Sequence, residues 1–345
     1  MKKHKGLKIF GIVLAAVILF FVVINLLPPA KNVEENPFIV GKGNLPMIAA
    51  HRGGGECNPE NTMLAFREAV KTYHVEIIES DLYLTRDGYL VYNHDSYIDE
   101  TCNVNGDKTL DEVEALCEDK ANRHYIKDMT LAELQQYNFG YYFEDGNGVR
   151  IYKDVTDPAS LGLRIATVEQ LFEEFYETNP ELLFIVEIKD EGERGREACR
   201  ILYETLGRYP AYKDRIVVGT FHDEIEAELK EHYPELYRGA PTGTAAVFVL
   251  TQTLGVNIFD RSDFACLQIP TSYDLGITIR LDKKNYVDRA HRRNIAVQYW
   301  TINDEETMRE LCGDGAASEN AICGLLADMP PSKVDELYAS QKERK

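Results

Sequence analysis

Apolar residues fall into two patterns along this chain. Short apolar runs occupy 47–50, 75–80, 89–93, 183–188, 216–220, 265–269, 295–301 and 324–327. Between most of them, apolar positions recur at helical spacing, over 62–73, 167–178, 193–209, 223–232, 283–293 and 304–312. The first pattern suits strands buried on both faces, and the second suits helices that bury one face. Their alternation predicts a parallel sheet with helices packed around it. Eight runs predict an α/β fold of the (β/α)8 TIM barrel type over residues 47–335. An open doubly wound sheet is the runner-up, but the glycine fingerprint of a dinucleotide fold is missing.

Two stretches break the alternation. Residues 82–88 are too few for a crossover helix, which takes about a dozen residues. Extended, they reach about 23 Å, enough to run back down a barrel, so an irregular link is expected. Residues 101–160 are too long for a bare loop and carry Gly106, Gly140, Gly146, Gly148 and Pro158 with Tyr137, Tyr141 and Tyr142. They are expected to form a small insertion after the third strand, packed over the barrel mouth.

The first thirty residues differ in kind. Lys2, Lys3, Lys5 and Lys8 precede an apolar run from Ile9 to Leu27, closed by Pro28-Pro29. Nineteen residues at about 1.5 Å each span roughly 28 Å, close to a bilayer core. The lysines place the N-terminus in the cytoplasm, which makes the rest of the chain extracytoplasmic. An uncleaved single-pass transmembrane anchor over 1–30 is therefore expected. The rival is a cleaved signal peptide, whose apolar core is usually about 7–15 residues. Residues 31–46, rich in proline and glycine, read as a linker.

Composition narrows the partners. A formal net charge of -19 argues against nucleic acid and against tight docking on anionic lipid. The seven cysteines contain no CxxC pair and form no metal pattern. Export permits disulfides, and Cys102–Cys117 and Cys312–Cys323 are possible local bridges beside the alternative of buried thiols. Nothing in the sequence fixes an oligomeric state.

Strand periodicity locates the candidate chemistry. Residues two apart share a face of a strand. Met47, Ala49 and His51 share one; so do Val75, Ile77, Glu79 and Asp81; Leu90, Tyr92 and His94; and Leu183, Ile185, Glu187 and Lys189. Each set begins apolar and ends polar at the C-terminal end of its run. If these faces point inward, the polar ends meet at the rim where barrels of this type hold their active sites. Two unit charges 4 Å apart repel by roughly 4 kcal/mol at an effective dielectric near 20. Three carboxylates, Glu79, Asp81 and Glu187, therefore call for a cation. Oxygen ligands alone suit a hard ion, Mg²⁺ or Ca²⁺, better than Zn²⁺. His51 and His94 supply an acid–base pair that titrates near neutrality. Arg52 and Lys189 suit phosphate oxygens; Arg52 could also, or only, pair with Glu60 or Asp95, and both roles are compatible. Gly53-Gly54-Gly55 lets backbone approach a phosphate or is simply a loop. In Pro59-Glu60-Asn61-Thr62, Asn61 or Thr62 is a candidate helix N-cap, and Glu60 could reach the ion or orient a histidine.

As a set, these segments resemble the glycerophosphodiester phosphodiesterase family. The motifs are His51-Arg52-Gly53, Pro59-Glu60-Asn61-Thr62, Glu79-x-Asp81 followed by Thr85-Arg86-Asp87-Gly88, His94-Asp95, Glu187-x-Lys189 and Trp300-Thr301-Ile302-Asn303. The resemblance implies a barrel and a metal-dependent hydrolase that converts a glycerophosphodiester to glycerol 3-phosphate and an alcohol. It implies attack by the neighbouring glycerol hydroxyl, with a cyclic phosphate that water then opens. It implies His51 and His94 as general base and acid, Glu79, Asp81 and Glu187 on the ion, Arg52 and Lys189 on phosphate, and Trp300 as a pocket wall; on sequence alone Trp300 is as easily core. The chain departs from the family pattern at Ala327-Asp328-Met329-Pro330 and in a longer loop at 313–320. The alternatives are a phospholipase C- or D-like enzyme on intact lipid or cell-wall glycerophosphate polymer, and a catalytically inactive phosphodiester binder.

Overall fold

The computed structural model describes residues 2–40, 46–274, 276, 278–312 and 324–327. The strands are β1 (Met47–Ala50), β2 (Ile77–Leu84), β3 (Leu90–Tyr92), β4 (Leu183–Ile188), β5 (Ile216–Gly219), β6 (Tyr237–Arg238), β7 (Cys266–Ile269), β8 (Ser272–Asp274), β9 (Thr278–Arg280), β10 (Ala296–Tyr299) and β11 (Gly324–Ala327). Eight of them run in the order β6-β5-β4-β2-β1-β11-β10-β7, with every neighbouring pair parallel. The two ends of this sheet meet through one parallel bridge, Gly239 with Cys266, where Ala265 N donates to Arg238 O and Ala240 N to Cys266 O. The architecture is TIM-barrel-like.

The expected helices form at Met63–Lys71, Val168–Phe175, Gly192–Arg208, Asp223–His232, Lys284–Arg292 and Glu305–Cys312. Local chemistry sets their starts. Thr62, not Asn61, caps the first by accepting from Ala65 N, and Thr167 forms a reciprocal capping box with Gln170. The strands divide their side chains between two cores. Ile78, Leu82, Phe184, Val186, Val218, Leu267 and Val297 pack outward against the helices. Ala49, Ile77, Leu183, Ile185, Val217, Cys266 and Ala296 pack inward.

Three expectations need correction. The run at 89–93 is not a parallel barrel strand. β3 pairs antiparallel with β2, Leu82 opposite Tyr92 and Leu84 opposite Leu90. Residues 82–88 are thus no irregular link; they complete β2 and turn back through Thr85–Gly88, where Gly88 has φ 88°. So short a connection permits only a hairpin. Leu90 and Tyr92 consequently face the helix-side core, as does Val75. The missing parallel strand is β6, which at two residues is too short to show a periodicity. The helix Thr242–Thr253 and the β8–β9 hairpin were also unforeseen.

The stretch read as a linker is not free chain over 32–40. Asn32 and Asn36 donate to Phe264 O, Ala265 O and Asn294 O, at the N-terminal ends of β7 and β10. Phe38 and Val40 are buried in the inward core. Small residues (Ala49, Ala265 and Ala296) leave room for the Phe38 ring there. Residues 101–160 carry satellite cores, one around Cys102, Ile126, Leu134 and Phe139 and one around Val113, Cys117, Tyr141 and Tyr142. They touch the loop after β1, where Tyr152 Oη meets Asn58 Oδ1. Cys102 and Cys117 are free, buried thiols in different clusters, so that bridge does not form. Cys312–Cys323, the loop at 313–320 and Asp328-Met329-Pro330 lie outside the residues whose side chains are described. Lys2–Leu26 is one helix; Lys8–Leu26 is long and apolar enough to cross a membrane, by length and composition.

Candidate active site

The C-terminal ends of β1, β2 and β4 bring together most of the expected residues. β2 and β4 pair in a register that sets Glu79 beside Ile185 and Asp81 beside Glu187. The alternation read from sequence thus holds on these two strands: Ile77 and Ile185 fill the interior, and the carboxylates continue the same faces. Lys189 follows on the same side. Its Nζ stands 3.1 Å from Asp81 Oδ1 and 3.0 Å from Glu187 Oε2.

The turn after β1 supplies the next layer. Arg52 adopts φ 52°, a left-handed conformation that costs a non-glycine residue about 1–3 kcal/mol. The turn is fixed from both sides. Arg52 N donates to Glu79 Oε2 at 2.9 Å, and Arg52 O accepts from Asn61 N at 2.8 Å. The guanidinium pairs with Glu60 at 2.9 Å and reaches Asp81 Oδ2 at 3.6 Å. Glu60 is thus one of the two carboxylate partners expected for Arg52, a pairing compatible with a place on phosphate; Asp95 feels the Arg52 charge but forms no ion pair with it among the described residues. His51 Nε2 lies 3.9 Å from Glu79 Oε2. Gly53 has φ 80°, and a Cβ there would come within 2.8 Å of the Phe66 ring, so glycine is required for close packing as well as for the turn.

His94 arrives by another route than the one its periodicity suggested. It follows the antiparallel β3, in the bend after Asn93, whose side-chain amide donates to Asp95 O and Tyr97 O. His94 Nδ1 lies 3.3 Å from Asp95 Oδ1, and the histidine is close enough to Glu187 to favour its charged form. Trp300 is 40% exposed at the C-terminal end of β10, so it is rim rather than core. Sequence reasoning missed Gln268 and Gln298, which follow the inward Cys266 and Ala296 on their strands. They are register partners on the adjacent strands β7 and β10, and Gln268 Nε2 donates to Gln298 Oε1 at 3.1 Å. Two glutamines at period two from inward apolar residues were the available signal.

Electrostatics mark the centre as short of positive charge. Burial, and then the neighbouring Asp81, push the Glu79 carboxyl up to about 8. Burial also raises Glu187 despite Lys189. Burial works against the Lys189 ammonium, but Asp81 and Glu187 outweigh it and hold the group charged. The contact with His94 lowers Asp95, against its burial. Asp81 Oδ2 is buried without a hydrogen-bond partner, an orphaned acceptor of the kind a cation satisfies. All donors in this group are oxygens, which fits a hard divalent ion. The three carboxylates do not converge as tightly as one coordination sphere, because Lys189 stands between two of them. Among the described residues, the trio with ligand atoms all within 4.8 Å of one another is Glu191, His222 and Glu224, on the adjoining rim. There His222 Nε2 lies 3.1 Å from Lys189 O.

Comparison with known proteins gives a concordant result. A family model described as the glycerophosphoryl diester phosphodiesterase family matches residues 51–317. The chain is 22% identical over 289 residues to a glycerophosphodiester phosphodiesterase of Caldanaerobacter subterraneus, covering 84% of this chain and 96% of that one. Its fold resembles the glycerophosphoryl diester phosphodiesterase domain of a Mycobacterium tuberculosis protein, with TM-score 0.63 at 19% identity, covering 88% and 100% of the two chains. It also resembles an Oleispira antarctica phosphodiesterase solved with the product sn-glycerol-3-phosphate, with TM-score 0.56 at 21% identity over 84% and 97%. The family match runs from His51, the first residue of the site, to residue 317, just past the helix after β10, and spans most of the chain; the chain therefore belongs to the glycerophosphoryl diester phosphodiesterase family, hydrolases of phosphoric diesters.

Proposed function

We propose that this rim hydrolyses glycerophosphodiesters to glycerol 3-phosphate and an alcohol, with His51 and His94 as the base and acid pair. The observation that carries it is the grouping of two cations, Arg52 and Lys189, with Glu79, Asp81 and Glu187 between the two histidines. Arg52 and Lys189 bind the phosphate oxygens and neutralise charge that grows during attack on phosphorus. One imidazole accepts the proton of the attacking glycerol hydroxyl, and the other donates a proton to the departing alcohol oxygen. Water then opens the cyclic phosphate, with the two proton roles exchanged. Asp95 contacts His94 on Nδ1, which leaves Nε2 for the substrate. Trp300 walls the mouth beside the substrate.

Glu79, Asp81 and Glu187 are the residues that would hold the divalent ion, Mg²⁺ or Ca²⁺. When bound it supplies positive charge to the phosphoryl oxygens. Lys189 then shifts its contacts from carboxylate to phosphate. The apolar N-terminal helix anchors the chain as a single pass, with the barrel on the extracytoplasmic side. The test is product analysis on a panel of glycerophosphodiesters, with and without chelator. Glycerol 3-phosphate that disappears on chelation and returns with the ion supports the proposal. Release of diacylglycerol or phosphatidate from vesicles, with no turnover of deacylated substrates, would assign the chain to lipid instead. Binding without product would identify an inactive binder.

A further inference from the structure

The strongest feature outside the site is an apolar surface at the opposite end of the barrel. Residues 239–259 contain no charged side chain, in a protein that is 28% charged. They form the helix Thr242–Thr253 and the connection leading into β7. Phe248 and Ala245 face the core. Val247, Leu250 and Leu254, spaced at i, i+3 and i+7, form a second stripe and are 54%, 57% and 58% exposed; Phe259 beside them is 60% exposed. A helix apolar on both faces leaves one face without a partner in the domain.

The surroundings say what covers it. The N-terminal helix joins the barrel at this place. Asn25 Nδ2 donates to Gly255 O at 2.8 Å, next to Leu254, and Ile24 is buried. Arg292 donates to Asn25 O and Leu27 O, the open carbonyls at the end of the helix, and Arg289 reaches Asn25 Oδ1. Neither arginine makes an ion pair among the described residues, and Arg289 Nη1 is buried without a partner. An apolar stripe bordered by two arginines that have no carboxylate partner among the described residues, where a membrane-length helix leaves the domain, is complementary to a phospholipid surface.

The geometry points to the stripe Val247, Leu250, Leu254 and Phe259 as a membrane-contact surface that lies in the outer leaflet beside the anchor. This rests on the anchored reading of the N-terminal helix. The contacts of residues 32–36 lie at the N-terminal ends of β7 and β10, whereas the catalytic rim lies at the C-terminal ends of β1, β2 and β4. Seated this way, the barrel holds its mouth away from the bilayer. Substrate then arrives from the aqueous side, and lipid of the same bilayer does not reach the rim. The overall negative charge is consistent with this, because only the arginine-bordered end meets the headgroups.

The chain's single tryptophan, Trp300, sits on the rim and is a ready-made reporter. The full chain is reconstituted into vesicles of phosphatidylcholine and phosphatidylglycerol with brominated acyl chains, and flotation is checked first. The variants Leu250→Trp and Phe259→Trp, each in a Trp300→Phe background, are compared with the unmodified chain. The expected result is strong loss of emission at positions 250 and 259, and none at Trp300. Both positions are exposed, so substitution leaves the fold intact. Flotation with no quenching at 250 and 259, or with quenching at Trp300, overturns the contact surface and leaves the anchor standing. Failure to float overturns the anchor and the surface together.

Discussion

Lys189 and Asp81 form the ion pair at the centre of the site, with Nζ 3.1 Å from Oδ1 on a carboxylate that is almost fully buried. The same ammonium holds Glu187 on the next strand. Removing one partner of a buried pair leaves an uncompensated charge, at about 3–5 kcal/mol. Lys189→Met is therefore expected to lower stability by that order in chelator, and to abolish turnover. A divalent ion should recover more stability in this variant than in the unmodified chain, because the ion replaces the lost charge. Thermal melts with and without Ca²⁺ read this directly. Equal stabilisation in both proteins would separate Lys189 from the ion site.

Glu79 gives a pH signature. Its folded carboxyl is raised from an ordinary 4.5 to about 8, so the folded state holds its proton more tightly than the unfolded chain does. Stability from this group is then full below about 4.5 and is lost as pH rises toward 8. Each unit of separation is about 1.4 kcal/mol, so the loss amounts to several kcal/mol. Other carboxyls titrate too, and the readout is the difference between the unmodified chain and Glu79→Gln, in chelator. That difference curve should slope between pH 5 and 8 and flatten when the divalent ion is added. A flat difference without ion would mean that Glu79 stays ionised in the folded protein.

His51 and His94 predict kinetics without a fold defect. Positioned acid–base groups contribute about 10²–10⁴ in rate. His51→Ala and His94→Ala are each expected to lose that much in kcat for a glycerophosphodiester, with thermal midpoints close to the unmodified chain. Both side chains lie at the rim, outside the apolar cores. Asp95→Asn should shift the pH profile and retain most turnover, since Asp95 contacts His94 only on Nδ1. Undiminished turnover in either alanine variant would remove that histidine from the proton transfers.

What the sequence could and could not disclose follows from length and pairing. β2 and β4 were legible because eight and six residues hold four and three periods, apolar inward and then acidic. Those strands carry Glu79, Asp81, Glu187 and, just beyond, Lys189. β6 was illegible because two residues have no period. β3 misled because periodicity reports which residues share a face, not which way a strand runs. His94 was nevertheless placed near the site, since a hairpin on β2 returns its end to the same rim. For Glu60 the sequence leaves open Arg52, the ion or a histidine as its contact, and the fold pairs it with Arg52, a choice among partners that only three dimensions decide. Chain breakers at Pro28, Pro29 and Pro37 suggested a tether, and they gave no hint that Phe38 would enter the barrel.

Phe38 yields the last prediction. Its ring is fully buried with Val40 in the inward core, among Ala49, Ile77, Val217 and Ala296. Replacing a buried phenylalanine by alanine removes its transfer free energy and leaves a cavity, for about 3–5 kcal/mol. Small neighbours cannot close that gap, because Ala49, Ala265 and Ala296 carry only a methyl group fixed to the backbone. Phe38→Ala should therefore lie at the upper end of the range, and Phe38→Leu well below it. Turnover at a temperature where the variant remains folded should be unchanged, since the plug sits at the end of the barrel away from Glu79 and His51. Denaturant unfolding in detergent measures the first, and kcat on a soluble glycerophosphodiester the second. Native stability in Phe38→Ala would show that residues 32–40 are a tether after all, and that the barrel closes its lower end without them.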